Sequence, residues 1–262
     1  MDQLLGEIID KFEIFILILV RMAGLFLMSP VFGRQNVPAY SKVGLSLLLS
    51  YMVYSNRYLS TGIEIQTPYV FGILIIREIL VGFVIGYVTT LIFSAIWTAG
   101  QLIDTQIGFG IVSVIDPQNS IQVPLMGNFK NILALLVFFV LDGHHTLIEL
   151  IFGTYELVPL GEGVVTDELS TIIIGLFSDS FLLALKIALP VFAITFISEV
   201  AFGILVRVIP QMNIFIVGIP IKIFIGLVTI MIFIPLYINS LKGVYNEMFS
   251  NIGSTLWRMV GK

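Results

Sequence analysis

The chain has 262 residues, a formal net charge of -4 at pH 7, 58% hydrophobic residues and only 11% charged ones, with a mean hydropathy of +1.05. That balance lies outside the range of soluble domains and makes lipid the solvent for much of the surface. Cysteine is absent, which excludes disulfides, thiol nucleophiles and cysteine metal sites. No basic cluster could neutralise a row of phosphates, so nucleic acid is not an expected partner.

The start, 1–11, is acidic where a secretory signal would be basic, and the apolar run after it lacks a small-residue cleavage site, so it reads as a retained membrane anchor. Apolar runs then follow at 12–32, 43–54, 69–97, 132–152, 181–206 and 214–238. A bilayer core of about 30 Å takes roughly 20 apolar residues per helix, which predicts about six helices, with 43–54 too short to cross without tilting or extending into its polar flanks. The fold class expected is all-α: a polytopic membrane protein with kinked or broken hydrophobic helices and irregular helical hairpins. It is read as one membrane-embedded domain over 1–262, with 239–262 as an amphipathic tail whose Leu241, Val244, Met248, Ile252, Leu256 and Val260 share a face.

Between 131 and 185 there is no Lys or Arg, but seven acidic residues, which marks a non-cytoplasmic loop. Thr166 is placed to cap a short helix there, with Asp167 and Glu168 in its first turn and Leu169, Ile172, Ile173 and Leu176 on its apolar face. If the runs simply alternate across the bilayer, Arg34, Lys42, Lys130 and Arg207 fall on one side and Lys11, Arg57, Lys242, Arg258 and Lys262 on the other. The charge rule then assigns no orientation. Either one run does not cross, or partners position the protein.

Four features could carry function. Gly82, Gly86, Thr90, Ser94 and Thr98 recur at every fourth position, a ridge along which another helix can approach closely, within the chain or from another subunit. Arg21, Arg77, Glu78, Lys186, Glu199 and Lys222 sit within or beside apolar runs, where an unpaired charge is expensive. Arg77 and Glu78 point about 100° apart on a helix, so each needs a partner elsewhere; Asp104 and Asp116 could meet the surplus of basic groups. Pro190, Pro220 and Pro235 fall inside the last two runs and Pro210 opens the link between them, making 210–220 either an irregular segment or a tight turn. Finally, 101–124 is neither apolar enough to span nor polar enough for an ordinary loop. Gly108, Phe109 and Gly110 lead into the apolar stretch from Ile111 and Val112 to Ile115, closed by the turn signature Asp116-Pro117-Gln118-Asn119. Such a loop could occlude a vestibule or dip into lipid headgroups.

Asp142-Gly143-His144-His145 is the one concentration of catalytic-looking side chains. Adjacent histidines point to different helical faces and no third ligand stands at zinc spacing, so a turn is expected there, with no metal, cofactor or catalytic role.

The order and spacing of several motifs resemble the FliR/SpaR/YscT family of type III secretion export-gate proteins. They are Arg21-Met22-Ala23-Gly24-Leu25-Phe26, Ser29-Pro30-Val31-Phe32-Gly33, Pro38, Lys42, Gln101, Gln106-Ile107-Gly108-Phe109, Asp116-Pro117, Asp142-Gly143-His144-His145, Ala188-Leu189-Pro190, Pro210-Gln211-Met212-Asn213 and Gly218-Ile219-Pro220-Ile221-Lys222. The resemblance implies a non-enzymatic gate subunit in the bacterial plasma membrane at the flagellar basal body, assembled with FliP-like and FliQ-like subunits and working with FlhB-like and FlhA-like components. Unfolded exported proteins would be its passengers and membrane lipid its surroundings. It also implies that a loop, here 108–122, plugs the closed channel, and that much of the complex stands above the bilayer, which would account for the failed charge count. An injectisome gate subunit is the alternative within the family; a small-solute transporter is the alternative outside it, weakened by the lack of an internal repeat.

Overall fold

A computed structural model describes residues 2–33, 37–55, 67–109, 124–211 and 214–260, with side chains not described for 2–10 and 214–215. Every regular element among the described residues is helical: α1 (Asp2–Met28), α2 (Ala39–Ser55), α3 (Pro68–Ile107), α4 (Leu125–Val140), α5 (Gly143–Leu157), α6 (Asp167–Val208) and α7 (Ile214–Trp257), closed by a 3₁₀ turn at Arg258–Val260. Three of these, α3, α6 and α7, are long and apolar enough to cross a membrane, and α4 with α5 would make a fourth if that bent pair is one span. The chain is an all-α polytopic membrane protein.

Helix α2 extends the short 43–54 run into its polar flank, as far back as Ala39. Elsewhere the expected elements need correction. The run at 132–152 is not one helix: Asp142 adopts a left-handed conformation, φ 53°, and ends α4 before α5 begins. The short helix expected after Thr166 is the start of the 42-residue α6. Thr166 does cap it, its Oγ1 accepting from Leu169 N at 3.1 Å, but nothing after the first turns stops the helix. Pro190, Pro220 and Pro235 do not break their helices, which run through them, so 210–220 is a tight link followed by helix; Met212 and Asn213 lie outside the described residues.

The helices fold into two compact units that share α3, α6 and α7. The first takes Met1–Ile92, Asp142–Phe177 and Tyr245–Lys262. Its core is built from Leu17, Met22 and Leu25 of α1, Val81 and Ile85 of α3, Leu147 and Ile151 of α5, and Met248, Ile252 and Leu256 of α7. The apolar face of the tail is therefore covered by protein, while Trp257, off that face, is 56% exposed. The second unit takes Phe93–Leu141 and Ser178–Val244. Small side chains let its helices close up: Ala95 and Ala99 of α3 meet Ala184 of α6, and Ile103 and Ile107 pack with Ala188, Val191 and Ile230.

Of the most apolar stretch of α3, 67% is buried inside the chain, against 22% for α6 and α7. Helix α3 is thus the spine, and the other two turn most of their apolar surface outward.

Candidate functional site

The loop that follows α3 is tied at both ends by one residue. Helix α3 stops because Gly108 takes up a left-handed conformation, φ 100°, which a glycine reaches without steric cost. The N–H groups of Gly108 and Phe109 both donate to the carbonyl of Asp104, at 3.1 and 3.0 Å. At the other end α4 begins after Pro124, which offers no side chain to cap it. The carboxylate of Asp104 does that work from the last turn of α3, accepting from Met126 N at 3.0 Å on each oxygen and from Gly127 N at 3.4 Å. It is 7% exposed. A negative charge at a helix N-terminus satisfies donors that lack a partner and sits favourably in the helix dipole. Close approach is possible because Gly100 faces Gly127: a Cβ on Gly100 would lie 2.2 Å from the Gly127 Cα. Asp104 therefore closes the base of the loop, and among the described residues no basic group pairs with it. Of the candidate plug, Gly108 and Phe109 are described, Phe109 packing against the Ile103 and Ile107 cluster. Gly110, Ile111, Val112, Ile115, Asp116 and Pro117 lie outside the described residues.

In the first unit the charged residues form a buried knot. Arg21 is 1% and Glu78 0% exposed. Arg21 donates from Nε to Glu78 Oε2 at 2.5 Å and from Nη2 to Oε1 at 3.1 Å, a two-pronged pair. Its remaining donors reach Thr154 O, Thr154 Oγ1 and Val158 O at 3.3, 3.2 and 3.0 Å, and the guanidinium lies 4.2 Å over the Tyr155 ring. Glu78 also accepts from Gly161 N at 2.7 Å, and its neighbour Arg77 donates to Gly161 O at 2.8 Å. Arg77 and Glu78 thus grip both sides of one residue, itself turned to φ 78°. The knot fastens α1, α3 and the α5–α6 link, and its ion pair is satisfied by uncharged groups around it, the condition for tolerating buried charge.

The small-residue ridge meets α1 over part of its length. A Cβ on Gly82 would lie 2.1 Å from Arg21 O, and one on Gly86 would lie 2.6 Å from Met28 Cβ. Thr90 donates to Gly86 O at 2.9 Å and also to Met28 O. Further along, Thr98 is half-buried and Ser94 is exposed. The last three charges are not interior. Lys222 pairs with Glu199, whose side chain is 44% exposed, and Lys186 is exposed, because α6 and α7 turn outward surface that the chain itself does not cover.

At the α4–α5 break, Asp142, His144 and His145 each bring one donor atom within 4.8 Å of the others. The histidine rings do not diverge: they stack with centroids 4.1 Å apart, and His145 Nδ1 lies 3.3 Å from Asp142 Oδ1. The left-handed turn at Asp142 brings in the third donor that linear spacing does not reveal. One oxygen and two nitrogens are a set that could hold a divalent cation.

The profile of "Bacterial export proteins, family 1" matches residues 12–248. The chain belongs to this family. Flagellar biosynthetic protein FliR of Bacillus subtilis is 31% identical over 245 residues, covering 92% of this chain and 94% of the relative. FliR of Pectobacterium carotovorum is 30% identical over 244 residues, covering 92% and 91%. FliR of Escherichia coli is 26% identical over 233 residues, covering 88% of each. The resemblance read from the motifs is borne out.

Within this export-family chain, sequence reasoning overlooked two residues. Asp104 was legible only as a spare acid, since a cap delivered from 22 positions away leaves no local signature. Lys130 looked like a loop-side cation, yet it is 6% exposed on α4, with its ammonium 4.7 Å over the Tyr237 ring.

Proposed function

We propose that this chain is a non-enzymatic subunit of the flagellar type III protein export gate, in the bacterial inner membrane at the base of the flagellum. It helps form the channel through which unfolded flagellar proteins cross, and segment 108–122 closes that channel until export begins. Family membership and the FliR relatives support the export role. The observation that carries the closure role is the Asp104 clasp, which holds both roots of the segment together at the end of the most buried of the three long apolar helices. A plug needs a fixed base and a free span; Asp104 supplies the base.

Its partners are FliP-like and FliQ-like subunits, together with FlhB-like and FlhA-like export components, and chemical energy comes from other components. The outward apolar faces of α6 and α7 are suited to packing against them.

Deletion of Ile111 to Ile115 in cells that assemble the gate tests the closure role. The expected outcome is a membrane leaky to small ions, with gate assembly unchanged; an intact permeability barrier refutes it. Affinity purification in mild detergent tests the gate role itself, and a solitary chain that binds a small solute would favour a transporter instead. Replacing His144 and His145 by alanine is expected to leave motility intact, and loss of motility with a normally assembled gate would reopen an enzymatic reading.

A further inference from the structure

The second unit holds a cleft of about 270 Å³ between α4, α6 and α7. Its walls are apolar, among them Leu133, Ile187, Phe233 and Ile234, and two lysines, Lys130 and Lys186, line it without any aspartate or glutamate. Lys130 is 6% exposed, and its ammonium faces the Tyr237 ring. Tyr237 in turn donates its hydroxyl to the Lys130 carbonyl at 3.2 Å, which fixes the ring under the charge. Among the described residues no carboxylate pairs with either lysine. An aromatic face offsets only part of the cost of burying an ammonium, so the cleft lacks an anion.

We infer that this cleft binds one anionic membrane phospholipid, an acyl chain lying between the apolar walls and the phosphate between Lys130 and Lys186. Apolar walls lined by two cations suit an amphiphilic anion, and basic pockets between membrane helices are where acidic headgroups bind. The exposed position of Lys186 leaves the phosphate end open to the bilayer while Lys130 closes the inner end.

The test uses the full chain in nanodiscs of phosphatidylcholine with one-fifth phosphatidylglycerol, followed by extraction into mild detergent and native mass spectrometry of the lipid that stays bound. Wild type is expected to retain a single phosphatidylglycerol. Lys130→Met with Lys186→Gln should weaken that retention about 30-fold, each lysine contributing as a basic residue near an anionic lipid does. Lys130→Arg should keep it. Should Lys130→Met fail to fold, Lys186→Gln and Leu133→Trp, which fills the cleft from a half-buried wall, must each lower retention. Equal retention of phosphatidylglycerol and phosphatidylcholine would overturn the proposal. So would displacement by soluble glycerol phosphate, which would mark a free-anion site, or a crosslink from Lys186 to a partner carboxylate in the purified complex with no lipid present.

Discussion

Replacing Asp104 by alanine removes three contacts at once: two of 3.0 Å to Met126 N and one of 3.4 Å to Gly127 N. The donors are the first-turn amides of α4, and no other side chain caps them. Loss of an N-cap costs about 1 kcal/mol and loss of a charge-assisted bond to a buried donor about 1.5–3 kcal/mol. The longest contact adds little, so roughly 2 kcal/mol is expected, a factor of about 30 in the opening equilibrium of the α4 start. Asparagine keeps an oxygen acceptor but loses the charge, and should cost about half as much. Hydrogen exchange at Met126 and Gly127, read by mass spectrometry on purified protein, reports this directly. The expected order of protection is wild type, Asp104→Asn, Asp104→Ala, with the first unit unchanged. Unaltered exchange at those amides in the alanine variant would refute the clasp, and a uniform rise across all helices would show that Asp104 supports the fold at large instead of the loop base.

Glu78→Gln leaves the Arg21 guanidinium buried without its counter-charge and should cost about 3–5 kcal/mol, read as loss of monodisperse protein on size-exclusion chromatography. Combined Arg21→Met and Glu78→Met should recover part of that loss, and no recovery would mean that the backbone acceptors around Arg21 dominate. Gly82→Val should force α1 from α3, since its Cβ would lie 2.1 Å from Arg21 O; a melting temperature equal to wild type would contradict the close packing. Gly161→Ala, at φ 78°, should destabilise by about 1 kcal/mol or more. Gly153→Ala, in mid-helix with nothing within 4 Å of its Cβ, should stabilise by about 0.5–1 kcal/mol, so the two melting temperatures must move in opposite directions.

The helical class and the long spans were legible because the apolar runs exceed what a soluble helix carries, and the need of Arg77 and Glu78 for partners other than each other followed from helix geometry alone. Their actual partners were not legible. Arg21 and Gly161 lie 57 and 83 residues from Glu78, and no periodicity encodes such a meeting. The turn expected at Asp142-Gly143-His144-His145 was legible from its residue types, although the apolar run across it read as one helix, and a single left-handed residue outweighs that average. The prolines misled in the opposite sense. Each removes one backbone donor, but α6 and α7 are 42 and 44 residues long, and the remaining hydrogen bonds carry the helix through. Lys130 and Asp104 escaped notice for a shared reason: their roles depend on what another helix places opposite them.

The outward face of α6 carries large exposed apolar side chains from Ile174 to Val208, about 50 Å of helix at 1.5 Å per residue. A bilayer core covers about 30 Å of that length. The remainder is too greasy for water, and neighbouring polypeptide of the kind the proposed function calls for would shelter it. An unassembled copy has no comfortable environment at any depth, and its survival depends on how soon its neighbours arrive. On the proposed function, assembly is thereby a race between recruitment and removal, in which a surplus of this one chain over its companions gains the cell nothing.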